Sequence, residues 1–343
     1  MTIEPRDARV EAQQLLAPGE GQARVLEPSP PAINSGPHWA DDPVDRTAVT
    51  GDGSDVELVL PTGLVDPARD PATVVDWDTW LDGRSARAEH ADWLAERWLG
   101  GRRRLPATPP LETLVETRLA LHRLATYVVA PVRHRQNGKF GLRWTQGGFG
   151  TPFFGQDRQV RVEGTSLIDQ RDGEVRVTPI GSLEDAARFL ESEIDAETAA
   201  EHDSPDVGDV DERLAVDASA AELLGNWFGM AFAGLEVLRA DATSIDPSRP
   251  QLWPGHFDPA IEVGTDDTRA SYGASTGDHG SDQPYLYVSV WWPDRLDIDT
   301  DDSFWNASGF TGRILPLADF PADADPAVVA ANFWRETRDR IHS

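Results

Sequence analysis

The residues best placed to do chemistry lie between Gln251 and Trp292. His256, Asp258 and Glu262 stand at even spacing, and on a β-strand that spacing turns all three side chains to one face. One imidazole and two carboxylates form a donor set suited to zinc, manganese or iron. Asp278 and His279 follow after a short connection and would complete it. An open coordination position would let bound water attack a substrate. The expectation is a divalent metal cofactor held by His256, Asp258, Glu262, Asp278 and His279. It would serve a metal-dependent, hydrolase-like enzyme working through His256, Asp258 and Asp278, with the tyrosines and tryptophans of Tyr285 to Trp292 walling the pocket. Pro254 and Pro259 interrupt regular pairing and predict an edge strand. The competing reading is the polar outer face of that strand, in a chain with 59 acidic residues.

A second candidate is electrostatic. Arg133, Arg135, Lys139, Arg143, Arg158 and Arg161 face only Asp157 over residues 133–161, a net of +5 in a chain of net charge −28. Arginine grips two oxygens of a carboxylate or phosphate at once. This stretch therefore predicts a site for a small anionic ligand, read as Arg133, Arg135, Lys139 and Arg143 with Tyr285 and Tyr287. The competing reading is charge pairing with the acidic remainder.

Other motifs fall short of their chemistry. Gly273-Ala274-Ser275-Thr276-Gly277 matches G-x-S-x-G, but a nucleophile elbow needs a helix directly after the serine. Asp278-His279-Gly280-Ser281-Asp282-Gln283-Pro284 is no helix. Asp297, Asp299, Asp301 and Asp302 resemble the start of a calcium loop, yet its glycine and closing glutamate positions hold Asp302 and Ser308. Gly147 to Gly155 lacks either phosphate-binding glycine order and reads as a long hairpin connection. His122, beside an apolar helical stripe with no partner at i±4, reads as a core-edge histidine.

The composition narrows the classes. The strong negative charge repels phosphate backbones and anionic membranes, which argues against nucleic-acid and membrane partners. Cysteine is absent, so disulfides and thiolate chemistry are excluded. No apolar run approaches the roughly 20 residues of a membrane helix. Met1 to Leu16 has no apolar core of the kind a signal peptide needs. A cytoplasmic location is the expectation.

These candidates need elements to position them. Pro18 to Pro37 is rich in Pro, Gly and Ser, so residues 1–50 read as a poorly ordered arm. Residues 51–343 read as a single α+β domain with a linker at 100–110. Val56–Leu60 reads as a strand, and Trp77 to Trp98 as two helical pieces carrying four tryptophans on core faces. Thr108 and Pro109 open a strong amphipathic helix that ends near Pro131. Strands follow over 139–145, 158–163, 166–168 and 174–179, where Val160, Val162, Val175 and Val177 alternate with charged residues, the mark of an antiparallel sheet with one wet face. Ser182 and Ser219 open capping boxes. Asp195 to Glu212 holds eight acids and reads as a solvated loop. A last helix starts near Asp325-Pro326. The fold class is α+β, a mainly antiparallel sheet with helices packed on one face.

Leu252-Trp253-Pro254 with His256-Phe257-Asp258, Tyr272-Gly273-Ala274-Ser275 with Gly277-Asp278, and Pro284-Tyr285-Leu286-Tyr287-Val288 resemble segments of a group of conserved hypothetical bacterial proteins. Gly138 to Arg143 and Gly148 to Pro152 are similar to the same group. The resemblance spans roughly residues 110–315, departs from it at Thr276, and implies no activity or catalytic residue. Two functions follow from the residues themselves: a small-molecule or partner-binding protein with an anion site, or the metal-dependent enzyme.

Overall fold

The computed structural model describes residues 105–342, apart from 146, 153, 155–157, 172–173, 203, 249, 297 and 299–301, together with three short strands nearer the N-terminus. Those strands are β1 (Ala48–Thr50), β2 (Glu57–Leu60) and β3 (Thr73–Asp76), paired antiparallel in that order. β2 coincides with the strand expected from Val56. The rest of the arm expected over residues 1–50, the four-tryptophan helical pieces and residues 100–104 of the linker lie outside the described residues.

α1 (Leu111–Leu124) begins later than its sequence cap suggests. Pro110 occupies the N-cap position in an extended conformation, with no side-chain cap. A residue ahead of proline is pushed out of the helical region, so Thr108 and Pro109 stay outside. The helix also fails to stop at Pro131. It widens into a π-helical turn, Ala125–Val129, and resumes as α2 (Ala130–Asn137), capped by Gly138 with φ 72°. Pro131 has no N–H to give Tyr127 O, four residues back. The Asp195 backbone N–H donates there instead, at 3.1 Å, so proline leaves no orphaned carbonyl.

α3 (Leu183–Phe189) carries the expected capping box, with Ser182 Oγ accepting from Asp185 N at 3.1 Å. α4 (Ala196–Ala200) forms inside the acidic stretch read as loop, because Asp195 caps it through Thr198 N. α5 (Ala218–Ala240) is capped by Asp217 rather than Ser219, since Asp217 Oδ1 accepts from Ser219 N and Ala220 N. α6 (Pro326–Ile341) starts where expected, under Asp325.

Two five-stranded antiparallel sheets form where the sequence suggests one. The first holds β4 (Arg143–Thr145), β5 (Gly148–Gly150), β6 (Gln159–Glu163), β7 (Ser166–Arg171) and β8 (Glu174–Pro179) in chain order. β5 lies within the glycine-rich connection that reads as a hairpin loop. The second sheet holds β9 (Gln251–Trp253), β10 (Asp258–Val263), β11 (Ala270–Ser275), β12 (Tyr285–Val290) and β13 (Gly312–Pro316). β10 pairs on both sides, so the edge-strand expectation is wrong. Pro259 sits opposite Leu252 of the three-residue β9, and the short strand tolerates it.

The sheets meet edge to edge at a bridge between Leu142 and Leu252, with both hydrogen bonds at 2.8 Å. The 23-residue α5, about 35 Å long at 1.5 Å per residue, contacts β4 and β5 of one sheet and β10 and β11 of the other. Its indole Trp227 Nε1 donates to Ala274 O on β11, and Trp144 Nε1 of β4 donates to Gly225 O on α5. α6 packs along α5 and gives Trp334 Nε1 to Tyr287 O. Leu252, Ile261, Val263, Tyr272, Ala274, Leu286 and Val288 form the buried face of the second sheet. The alternate residues form its other face.

Candidate functional site

Strand register decides what that other face carries. β11 alternates Ser271, Gly273 and Ser275 against Ala270, Tyr272 and Ala274; β12 alternates Tyr285, Tyr287 and Ser289 against Leu286, Val288 and Val290. Gly273 stands opposite Ala260 on one side and Tyr287 on the other. A Cβ on Gly273 would lie 2.5 Å from Tyr287 Cζ, so only glycine lets that ring lie flat across β11.

The result is a cavity of about 350 Å³, at the small end of ligand-binding pockets. Asp258, Ala260 and Glu262 of β10 lie on its floor, with Tyr285, Tyr287 and three serines beside them and Trp253, His256, Asp278 and Phe310 at its walls. Four of the five residues expected to bind metal therefore share one cavity. His279 does not line it and sits on the exposed loop after β11.

Their side chains are committed to other partners. Tyr287 donates its hydroxyl to Asp258 Oδ2 at 2.6 Å, and Tyr285 donates to Asp278 Oδ2 at 2.5 Å. Glu262 Oε2 lies 3.4 Å from Arg269 Nη2, both side chains buried. Asp278 Oδ1 accepts from Gly280 N and Ser281 N and folds its own loop. Among the described residues no group of three or more His, Asp or Glu side chains is disposed to hold a metal ion. In this arrangement tyrosines and an arginine hold the carboxylates expected to bind metal.

The two aspartates are shifted in opposite directions. Burial pushes the Asp258 carboxyl above its ordinary range and outweighs the His256 charge and the Tyr287 hydrogen bond, which act the other way. Burial would raise Asp278 as well, but hydrogen bonds from Tyr285, Gly280 and Ser281 and the Arg118 charge hold it below the usual range. Burial and Asp258 push the Tyr287 phenol well up, and burial and Asp278 do the same for Tyr285. Both phenols stay protonated and remain donors. Asp258 is 5% exposed, and its Oδ1 accepts no hydrogen bond from the described residues.

The turn that aims His256 and Asp258 is held from behind. Phe257 has φ 55°, a left-handed conformation that a bulky residue rarely adopts without enforcement by its surroundings. The enforcement is visible. The ring is fully buried, stacks on His122 at 5.2 Å and meets Phe149 and Phe228 edge-on. His122 Nε2 lies 2.9 Å from Gly255 O, and since a carbonyl only accepts, the proton is on Nε2. Thr126 Oγ1, in the π turn, donates to Pro254 O at 2.8 Å. Burial pushes the His122 imidazole down to about 4 despite these carbonyls, so it stays neutral. The core-edge reading of His122 holds, and it has a task there. On the other side Gly277, at φ 102°, turns the Asp278 loop over the Arg118 guanidinium, which donates to Thr276 O and Asp282 O.

Ser275 ends β11 and lines the cavity, but a loop follows it, and its Oγ accepts from Gly277 N. The elbow geometry is not formed.

The residues expected to bind an anion divide differently. Tyr285 and Tyr287 lie in the acidic cavity, whose lining includes neither arginine nor lysine. Arg133, Lys139 and Arg143 are buried elsewhere; Arg133 donates to Gly141 O and Arg143 Nε to Trp144 O. Register puts Arg143 and Arg161 on one face of the first sheet, either side of Gly150. Arg135 is exposed, bonds Ser192 Oγ and Glu193 O, and lies 3.6 Å from Asp195. It lines a second groove with Arg158, Glu191 and Glu193, where Arg158 is held by Asp169. Sequence reading missed Trp253, Phe310 and Ser289 as cavity walls and Arg269 as the partner of Glu262. The alternation of Tyr285, Tyr287 and Ser289 was the available signal for the wet face.

Compared with protein-family models, curated proteins and solved structures, the chain finds no match. No helix among the described residues is long and apolar enough to cross a membrane.

Proposed function

We propose that this protein binds a small organic molecule in the cavity on the open face of β9–β13. The observation that carries the reading is Asp258: a nearly fully buried carboxylate on a cavity floor, with one oxygen that accepts no hydrogen bond from the other described residues. An unsatisfied buried polar atom costs about 1–3 kcal/mol, and a ligand donor would relieve that cost. The turn strained at Phe257 and braced by His122 and Thr126 fits a preorganised site. Metal-assisted hydrolysis has no comparable support, because the carboxylates it needs are bonded to tyrosine and arginine. The anion reading would fall to the groove of Arg135 and Arg158, where Glu191 and Glu193 oppose it.

The test is a thermal-shift screen of a panel of amines, polyols and carboxylates against the wild type and Ser289→Trp. Ser289 is a half-buried wall residue, and indole there fills the cavity. Compounds that raise the wild-type Tm should leave the variant unmoved. A panel without effect, or equal shifts in both proteins, would refute the reading.

A further inference from the structure

We infer that the ligand of this cavity is an N–H-bearing organic cation, a primary ammonium or guanidinium on a small carbon frame. This rests on the cavity reading above and deepens it.

The lining is built of acceptors. Asp258, Glu262 and Asp278 bring three carboxylates, and His256 is the one lining side chain that can carry positive charge. Glu262 is matched by Arg269 from outside the lining, which leaves two aspartates that take phenol hydroxyls as donors. A tyrosine hydroxyl has one proton and two lone pairs. Both protons are spent on the aspartates, so each phenol oxygen meets a ligand as an acceptor. Ser271 Oγ already accepts from Trp291 Nε1 at 2.8 Å. Asp258 is 5% exposed, and its Oδ1 has no hydrogen-bond partner among the other described residues. Ligand carboxylates or phosphates would find repulsion here, whereas an ammonium brings several donors and a compensating charge.

The walls agree with the floor. Trp253, Tyr285, Tyr287 and Phe310 present aromatic rings around the cavity, and ring faces attract cations as well as hydrocarbon. The molecule's charge of −28 draws cations toward it before contact. The volume of about 350 Å³ suits a compact amine rather than a long polycation.

The probes are butylammonium and butylguanidinium, with butanol as neutral isostere, butyrate as anion and butyltrimethylammonium as a cation without N–H. Calorimetric titration of wild type, Asp258→Asn, Asp278→Asn and Ser289→Trp reads their affinities. The expected result is binding of the two N–H cations, weakened about 10- to 100-fold by Asp258→Asn, less by Asp278→Asn at the exposed rim, and abolished by Ser289→Trp. If Asp258→Asn fails to fold, the Asp278 variant and the butanol comparison still decide. Equal affinity for butanol, or for the quaternary probe, overturns the N–H cation inference while the cavity reading stands. Binding untouched by Ser289→Trp, or no binding by any probe, overturns the inference and counts against the cavity as the site.

Discussion

Each five-stranded sheet buries one aspartate, and the two are treated in opposite ways. Asp169 on β7 is 1% exposed and receives Arg158, Arg171 and Arg176 at 2.6–3.0 Å, with Glu191 bridging the outer two arginines. Asp258 on β10 is 5% exposed and receives one phenol. Burial would raise both carboxyls. At Asp169 the arginine hydrogen bonds and charges overcome it and hold the carboxyl below its ordinary range; at Asp258 burial prevails. Asp169 also sits where Arg158 and Arg171 reach Leu190 O, the capping carbonyl at the end of α3, a favoured place for cations. It is a structural joint between sheet and helix. Asp258 faces a cavity, and the side chain that donates to it is Tyr287. A buried carboxylate surrounded by its own cations stabilises the fold, whereas one left short of donors is suited to meeting a ligand.

The comparison breaks most sharply at Asp169. Replacing it with Asn leaves three arginines facing each other across a partly buried site, and breaking such a set costs about 3–5 kcal/mol. Denaturant midpoints at pH 7 should show that loss for Asp169→Asn. A change under 1 kcal/mol would show the cluster to be surface decoration and dissolve the contrast.

Acid sharpens it next, because the groups titrate in different windows. Asp169, with a depressed folded pKa, contributes stability above 3.8 that is lost as pH falls through its lower folded value. His122, behind the Asp258 turn, is depressed from 6.5 to about 4. Its folded state resists protonation, so stability falls as pH drops from 6.5 toward 4 and levels off below. A shift of that size corresponds to up to about 3 kcal/mol. His122→Gln keeps a donor for Gly255 O and removes the titration. Wild type should lose more stability than this variant between pH 7 and pH 4, and parallel curves would show that the imidazole is solvated.

The same contrast explains what could be read from the chain. The caps at Ser182 and Asp325 and the existence of strands β6 and β8 are local, and each was legible; the expected single wet face was not, since β6 buries Gln159 and Arg161 along with Val160 and Val162 while Val177 of β8 is exposed. The even spacing of Asp258 and Glu262 did put them on one face. Their fates were not legible, because Tyr287 reaches Asp258 from two strands away and only the register through Gly273 brings it there. Glu262 likewise depends on Arg269, seven residues on and across a turn. The π turn at Ala125–Val129 needed an N–H from Asp195, far along the chain, to free Tyr127 O from Pro131. Arg133, Arg135, Lys139 and Arg143 are close in sequence yet divide between buried positions and an exposed helix end. Charge runs show composition, and composition does not show which way a side chain faces.

The smallest effect on stability should come from Asp258 itself. Asn at this position keeps an oxygen for the Tyr287 hydroxyl and removes a carboxylate that burial disfavours. Against that, its amide nitrogen brings donors into a site with few partners, and it gives up the attraction of the His256 charge. These terms oppose one another, so the net change at pH 7 should stay within about 1 kcal/mol. The sign shows in the pH dependence. A carboxyl whose folded pKa is raised makes its best contribution below 3.8, its unfolded value, and loses it as pH rises through the folded value. Asn does not titrate. Asp258→Asn should therefore gain on wild type as pH rises from about 4 toward neutrality, while Asp169→Asn falls further behind over its own, more acidic window. Stability curves of the three proteins from pH 3 to pH 8 test this. If Asp258→Asn instead loses ground as pH rises, the carboxylate is charged and well partnered in the fold, and the two aspartates are the same kind of residue after all.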